Sequence, residues 1–176
     1  MLKRRLFVCF FLMFQSAIAQ LHPIAKESSV QFTLKNFGIK TRGTLDAPEG
    51  DIVFNPDDLS QSLFRVTIKT ESINTDNNSR DEHLRDADYF DVKNYPLIRF
   101  VSSSVKTSDK RGGYEAVGTL TIKNKSKEIT LPFTAEKNGN GWLFSGSLKM
   151  NRRDYDIGGS STISNELTVN IKVLAR

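Results

Sequence analysis

Residues 167–173 read LTVNIKV, and this stretch indicates the fold class. Leucine, valine, isoleucine and valine occupy every second position, with threonine, asparagine and lysine between them. Successive side chains of a β-strand point to opposite faces, so a period of two is typical of a strand with one buried face. The stretch therefore predicts a half-buried strand.

The same alternation recurs upstream, in four clear segments and four weaker ones. These segments are residues 30–34, 64–68, 128–135 and 142–150, followed by the weaker 40–45, 51–54, 97–105 and 114–122. Several of the links between them are short and rich in turn-forming residues, so most neighbouring strands are expected to be antiparallel. Eight or nine strands with one apolar face each form either a two-sheet sandwich or a closed barrel, and alternation alone does not distinguish the two.

Two residue types inside the segments carry further information. Gly43, Gly118 and Gly146 interrupt strand segments, as the bends of a barrel often require. Pro132 has no N–H to donate to a ladder, so it predicts an edge, a bulge or a corner at that point. The glycines favour the barrel without excluding the sandwich.

The first 19 residues have the three-part pattern of a secretory signal peptide. Residues 1–5 are short and basic, residues 6–14 form an unbroken apolar run, and residues 17–19 form a small-x-small cleavage site. The apolar run is far shorter than the roughly 20 helical residues that cross a bilayer, so no permanent membrane anchor is expected. We expect residues 1–19 to be removed and residues 20–176 to form one domain, in the periplasm or outside the cell.

Export changes the charge and the cysteine content. Residues 1–19 hold three of the 25 basic residues and none of the 20 acids, so their loss lowers the net charge from +5 to +2. Cys9 is the only cysteine, so the exported domain would hold no disulfide and would depend on its core alone. The chain has no clustered basic face and no nucleic-acid motif, which argues against nucleic-acid binding.

Residues 79–96, SRDEHLRDADYFDVKNYP, depart from the strand pattern. Ser79 and Glu82 fit a capping box, and Asp81 and Arg85 have the spacing of a helical acid–base pair. A helix is predicted over about residues 80–87, since the residue before Pro96 resists helix.

This helix is too short to be stable alone, so it is expected to dock on the strands. Leu84, Tyr89 and Phe90 would then cover one end of the β structure with their apolar side chains. The helix would act as a partial lid or plug, with its charges on the outside.

The adjacent Asp81, Glu82 and His83 raise the question of an active site. Helical metal ligands are spaced three or four apart, whereas Asp81 and His83 are two apart and point to different faces. His83 and Asp86 are suitably spaced but too few, so no metal or other cofactor is predicted. Residues 20–176 contain no cysteine, and no serine in a G-x-S-x-G motif offers a nucleophile. A His83–Asp86 pair acting through water on a bound lipid remains an alternative, enzymatic hypothesis.

Short motifs stand out once the strands and the helix are placed. They are TIKTESINTD at 67–76, NSRDEHLR at 78–85, DYFD at 88–91, YP at 95–96, IRF at 98–100, GTLTI at 118–122, TLPF at 130–133 and NRRDYDIG at 151–158. A charged helix ending in an aromatic pair, followed by tyrosine-proline and a strand, resembles the YceI family of exported bacterial proteins. The resemblance covers nearly all of residues 20–176, although Asn36 stands where many members have histidine.

The resemblance implies an all-β fold, an eight-stranded antiparallel lipocalin-like barrel with one short helical insertion. It also implies an apolar lumen that carries a long polyisoprenoid or another amphiphilic lipid. The family offers no catalytic residue to transfer, so the protein is expected to be a binding protein and not an enzyme.

The lumen of such a barrel would be formed by the inward faces of the strands. Val30 and Ile129 lie on these faces beside seventeen residues that are predicted to bind the ligand. The seventeen are Phe32, Leu34, Phe64, Val66, Ile68, Leu84, Phe90, Ile98, Phe100, Leu120, Ile122, Leu131, Phe133, Phe144, Leu148, Val169 and Ile171. A ligand head group would stay at the mouth, near one or more of five arginines. These are Arg42, Arg80, Arg85, Arg152 and Arg153.

Three functions stay open at this point. The leading one is an exported carrier or scavenger of a long apolar ligand. The second is the lipid-modifying enzyme described above. The third is a structural or interaction domain whose inward side chains pack into a dry core, because every strand protein needs such a face. The sequence leaves the oligomeric state open between monomer and dimer.

Overall fold

The computed structural model describes residues 20–109, 112–159 and 162–176, so the signal peptide predicted at residues 1–19 lies outside the described residues. Within these ranges ten strands form one antiparallel sheet. The strands are β1 Gln20–Leu21, β2 Ser29–Asn36, β3 Ile39–Leu45, β4 Glu49–Val53, β5 Leu63–Lys69, β6 Leu97–Thr107, β7 Gly113–Ile122, β8 Lys125–Asn138, β9 Gly141–Asn151 and β10 Ile163–Ala175. Their order across the sheet is β1-β4-β5-β6-β7-β8-β9-β10-β2-β3.

The expectation of an all-β fold with one α-helix is confirmed, but the count of eight strands is wrong. The sheet of ten described strands curls into a half-barrel with β1 and β3 at its edges. The nine strands β2 to β10 coincide with the nine alternating segments of the sequence. Strand β1 has only two residues, too few for an alternating pattern to be recognised in the sequence.

Backbone hydrogen bonds outside the ladders join each edge of the sheet to a neighbouring segment. At the β3 edge, Thr44 and Asn74 exchange two N–H to oxygen bonds of 2.7 and 3.0 Å. At the other edge, the His22 N–H donates to the Arg176 oxygen over 2.8 Å, which links the chain after β1 to the end of β10. Each edge of the sheet is therefore joined to a neighbouring segment by a few backbone hydrogen bonds and not by a continuous ladder.

Strands β2 and β3 are joined by a two-residue turn. The last paired residues are Asn36 and Ile39, which leaves only Phe37 and Gly38 between them. Both have positive φ, 50° and 79°, as a type I′ hairpin turn requires. Glycine adopts this conformation readily, but a phenylalanine in it is sterically unfavourable.

Strands β8 and β9 separate at Pro132. Their ladder begins at Phe133 opposite Gly146 and continues to the β8–β9 turn. Beyond this point residues 125–132 pair only with β7, and residues 147–151 pair only with β10. An edge, a bulge or a corner was expected at Pro132; the structure has a local edge there, so the wall of the half-barrel has a seam at this point.

Six aromatic rings fill one end of the half-barrel, and we call this cluster the aromatic plug. It consists of Phe54, Phe64, Tyr114, Phe133, Trp142 and Phe144. The Phe54 ring contacts all five others, with centroid distances from 5.1 to 6.5 Å. Edge-on contacts of this kind are favourable for aromatic rings, so the plug closes this end firmly.

The helix α1, Asn78–Arg85, lies near the opposite end and begins earlier than predicted. Its N-cap is Asn77, whose side-chain oxygen accepts from the Arg80 N–H over 2.9 Å, and not Ser79 of the predicted capping box. Sequence reasoning chose the serine because it ignored the preceding asparagine, which caps equally well. In the described part of the chain no helix is long and apolar enough to cross a membrane.

The predicted Asp81–Arg85 pair does not form, because each residue binds the chain before the helix. Asp81 is buried and its carboxylate accepts from both the N–H and the hydroxyl of Thr75. The Arg85 guanidinium donates to the carbonyls of Glu71 and Ile73 over 3.0 and 2.9 Å. These bonds fix the helix on the segment that follows β5.

Candidate functional site

The half-barrel encloses an apolar cavity of about 250 Å³. Its wall is built from side chains of nine strands, β2 to β10, and from residues between strands. Most of the latter belong to residues 70–96, which contain α1 and which we call the helical segment. Ligand pockets usually measure about 300–1,000 Å³. The cavity therefore suits a slender apolar chain better than a broad ring system.

All seventeen residues that are predicted to bind a ligand lie on the cavity wall. Fifteen come from strands, and the other two, Leu84 and Phe90, come from the helical segment. The alternation of each strand places them there, because one face of every strand points into the curl. Val30 and Ile129 line the cavity as well. The contribution of these residues to ligand binding stays a prediction.

The floor of the cavity is the aromatic plug. Phe64, Phe133 and Phe144 belong to the plug and also line the cavity. Behind them Phe54 and Trp142 pack edge to face at 5.1 Å. Sequence reasoning missed Phe54, Tyr114 and Trp142 as a closure, since each is a single aromatic at the end of a strand. The cavity is thus blind at this end.

The mouth lies at the helix end and contains the polar part of the wall. Leu84, Tyr89 and Phe90 line this region, as predicted for the residues of a lid. Tyr89 and Phe90 also pack against a second buried cluster, which includes Tyr155 and Ile157. The polar lining residues are Asn36, Thr41, Thr75, Arg80 and Arg152. A ligand with one polar end would place that end here.

Arg80 is held at the mouth by a network with Thr75 and Asp81. Its Nε donates to the Thr75 hydroxyl and its Nη2 to the Thr75 carbonyl, each over 2.7 Å. The Thr75 hydroxyl donates in turn to Asp81 Oδ1 over 2.5 Å. Hydrogen bonds to charged groups are the stronger kind, so the guanidinium has a fixed position beside the apolar wall.

Arg152 is buried and bonded to backbone carbonyls. Its guanidinium donates to Ile157 and Gly158 over 2.6 and 2.8 Å, and to Ile163 and Ser164 over 3.1 Å each. Burial, followed by the nearby charge of Arg153, lowers the pKa of Arg152 below its usual value. The side chain organises the segment between β9 and β10.

The five arginines proposed for a head group therefore differ in position. Arg80 and Arg152 reach the cavity wall, whereas Arg85 and Arg153 do not line it and donate to backbone carbonyls. Arg42 is exposed on the outer face of β3. A head-group role stays a prediction for each, and the geometry favours Arg80 and Arg152.

Eleven further apolar residues line the cavity, and only Tyr89 of these was expected to face the lumen. They are Leu45, Pro48, Ile52, Ile73, Tyr89, Ala116, Met150, Ile157, Ile163, Leu167 and Val173. Leu45, Leu167 and Val173 continue the alternating faces, so the sequence pattern could have found them. Ile73 and Ile157 lie outside the strands and have no periodic signal.

His83 does not reach the cavity. It is exposed and lines a separate, polar pocket with Asp88, Lys123 and Asp156, while its ring contacts Tyr89 at 5.0 Å. Among the described residues no hydrogen bond joins the side chains of His83 and Asp86. No group of three or more histidine, cysteine or acidic side chains with metal-binding geometry occurs in the described ranges either.

Comparisons with known proteins agree with this architecture. The family model of the YceI-like domain matches residues 22–175. A UPF0312 protein of Pseudomonas putida is 32% identical over 170 residues, which cover 89% of this chain and 86% of the relative. The crystal structure of Burkholderia cenocepacia BcnA superposes with a TM-score of 0.80 at 26% identity, covering 86% of this chain and 98% of BcnA.

A more distant structure has the same fold. It is described as a polyisoprenoid binding domain from Saccharophagus degradans implicated in plant cell wall breakdown. It matches with a TM-score of 0.71 at 13% identity, over 91% of this chain and 99% of that domain. Since the family model spans almost all of the described residues, the chain belongs to the YceI-like family.

Proposed function

We propose that the protein is an exported carrier or scavenger that holds a long apolar ligand in the cavity. The ligand class is a polyisoprenoid or a similar amphiphilic lipid. The observation that carries the proposal is the blind apolar cavity, whose wall includes all seventeen residues predicted for it. Export rests on the signal-peptide pattern of residues 1–19.

The chemistry of the wall selects the ligand class. Burying a methylene group is worth about 0.8 kcal/mol, so a chain of many carbons gains enough to bind without polar contacts. The narrow volume favours a linear chain, and the fixed Arg80 beside the mouth suits an anionic end group. The Saccharophagus domain supports the shared fold, while the ligand class rests on the cavity itself.

The two alternatives receive less support from the geometry. A lipid held in the cavity does not lie against His83, because that side chain is outside the wall. A domain with a fully packed lumen is not favoured, because the aromatic plug fills only one end and a cavity remains beyond it.

Mass spectrometry under native conditions tests the carrier function directly. We expect the purified protein to carry an added lipid mass, which is released and identified after denaturing extraction. Val169→Trp fills the cavity, whereas Thr168→Trp adds the same bulk to the outer face of β10 and serves as the matched control. Val169→Trp should lower lipid occupancy at least about tenfold. Equal occupancy in the two variants, each checked for folding by circular dichroism, would contradict the proposal.

Leu84 and Phe90 give the helical segment a role as a partial lid. The combined Leu84→Ala and Phe90→Ala substitutions remove apolar cover at the mouth, so we expect faster release of a bound polyprenyl phosphate. His83→Ala changes an exposed neighbour that does not line the cavity and should leave the release rate unchanged. An unaltered rate in the double variant would exclude the lid.

A further inference from the structure

The tip of the β2–β3 hairpin exposes two large hydrophobic side chains. Phe37 is 75% exposed and Ile39 is 71% exposed, and no other large hydrophobic among the described residues is as exposed. They flank Gly38: Phe37 lies in the turn, and Ile39 belongs to the last pair of the ladder, opposite Asn36. Two such side chains together on a protruding tip are unusual for a surface that meets only water.

Phe37 is also in an unfavourable backbone conformation. Its φ of 50° lies in the left-handed region, where a type I′ turn prefers asparagine, aspartate or glycine. The exposed ring gains little burial within the fold in return. A strained and exposed aromatic residue suggests that its favourable contacts are made with a partner.

The hairpin behind the tip is cationic. Residues 29–45 contain Lys35, Lys40 and Arg42 and no acidic residue. Lys35 and Lys40 are directly opposite each other in the ladder, which is unfavourable because like charges repel. All three side chains are exposed, and none of them forms an ion pair with a carboxylate in the described ranges. The neighbouring strand β10 contains one acidic residue, Glu166, next to Leu167, which pairs with Leu34.

The hairpin adjoins the mouth of the cavity. Asn36, the residue before Phe37, lines the cavity, and so does Thr41, two residues beyond Ile39. Ile163, which is paired with Asn36 in the sheet, lines it too. A surface that receives the tip therefore also faces the mouth.

We infer that the β2–β3 hairpin docks on an anionic phospholipid bilayer. Phe37 and Ile39 enter the boundary between head groups and acyl chains, where aromatic and aliphatic side chains are stabilised. Lys35, Lys40 and Arg42 remain at the head groups, whose negative charge attracts them. Charge complementarity selects a lipid surface over a second copy of the chain, because two such hairpins would repel each other.

Docking would place the mouth of the cavity against the bilayer. A lipid could then pass between membrane and cavity with little exposure to water. This consequence rests on the proposed carrier function, but docking itself is measured separately. Val169→Trp should reduce lipid occupancy and still bind vesicles as the parent protein does, so the two proposals can fail independently.

Vesicle flotation tests the docking. The parent protein should float with vesicles of phosphatidylcholine and phosphatidylglycerol, more weakly with phosphatidylcholine alone, and less at high salt because the cations are screened. Phe37→Asn should weaken binding about tenfold, since it removes the phenyl ring that would enter the bilayer. The same substitution should maintain or raise the Tm, because asparagine suits the turn. Lys35→Gln with Lys40→Gln should abolish the preference for phosphatidylglycerol.

Val101→Thr is the control, since Val101 is the third exposed large hydrophobic among the described residues and lies on β6. It should bind vesicles as the parent does. Equal binding of Phe37→Asn and parent protein, or no binding of the parent to anionic vesicles, would overturn the inference. So would a Phe37-dependent dimer that ignores vesicles, since the tip would then be an interface between two copies.

Discussion

Gly43 stands directly opposite Phe32 in the β2–β3 ladder, and the Phe32 ring occupies the space that a side chain at position 43 would need. A Cβ atom on Gly43 would lie 2.7 Å from Cε1 of that ring and 2.9 Å from the methyl group of Thr75. Both approaches are closer than van der Waals contact. The position of Phe32 on the cavity wall therefore depends on the glycine.

Gly43→Ala should move the Phe32 ring into the cavity. We expect a loss of about 1–3 kcal/mol in the free energy of unfolding, as overpacking usually costs, together with reduced lipid occupancy. Urea unfolding and native mass spectrometry measure the two effects. Gly159→Ala is the matched control, because a Cβ there meets no atom within 4 Å. Full occupancy in Gly43→Ala would show that the ring moves elsewhere.

Thr75→Val should destabilise the attachment of the helix. The substitution keeps the shape of the side chain but removes the hydroxyl between Arg80 and the buried Asp81 carboxylate. Leaving a buried polar group with fewer partners costs about 1–3 kcal/mol. Thr119→Val, on an exposed position of β7, should change the free energy of unfolding by less than about 0.5 kcal/mol. Similar urea midpoints for the two variants would argue against the network.

Arg152→Lys should be strongly destabilising even though it keeps the charge. A lysine presents one nitrogen, whereas the guanidinium reaches carbonyls on both Ile157 and Ile163. We expect a loss of at least about 2 kcal/mol, seen in thermal and urea unfolding. Arg99→Lys, an exposed change on β6, provides the comparison and should be nearly neutral.

Stability should fall at alkaline pH because of Tyr155. Burial, with a smaller effect of Asp154, raises the pKa of Tyr155 to about 12 from 10.0. The folded state holds the proton more tightly than the unfolded chain, so the contribution is complete below pH 10 and is lost as the pH rises through 12. The loss amounts to about 2–3 kcal/mol. In urea titrations across this range Tyr155→Phe should show a smaller decline, and parallel curves would contradict the assignment.

The strands could be predicted from the sequence because each of them has one apolar face that points into the half-barrel. Alternation depends only on local geometry, so it located β2 to β10 and placed Phe32, Leu148 and Val169 on the inner face. Alternation could not show which strands pair with each other or where the pairing stops. The seam at Pro132 and the bonds between Thr44 and Asn74 depend on residues far apart in sequence.

The two ends of the cavity, the aromatic plug and the mouth, were harder to predict because their residues follow no periodic pattern in the sequence. Phe54, Tyr114 and Trp142 meet only after the sheet has curled, and their packing follows from tertiary structure. Arg80 and Arg152 look like surface charges in the sequence, yet both bind backbone carbonyls beside the cavity. Polar side chains that satisfy backbone groups of distant segments carry no local signature.

Under the proposed carrier function, the seam between β8 and β9 affects which ligands the cavity can accept. Between the other neighbouring strands the width of the cavity is limited by interstrand ladders, which a thicker molecule would have to break. Along residues 125–132 and 147–151 the two strands can move apart without losing a shared ladder bond. A carrier built in this way would accept branched and unbranched chains of different thickness, and the aromatic plug at the closed end would limit their length.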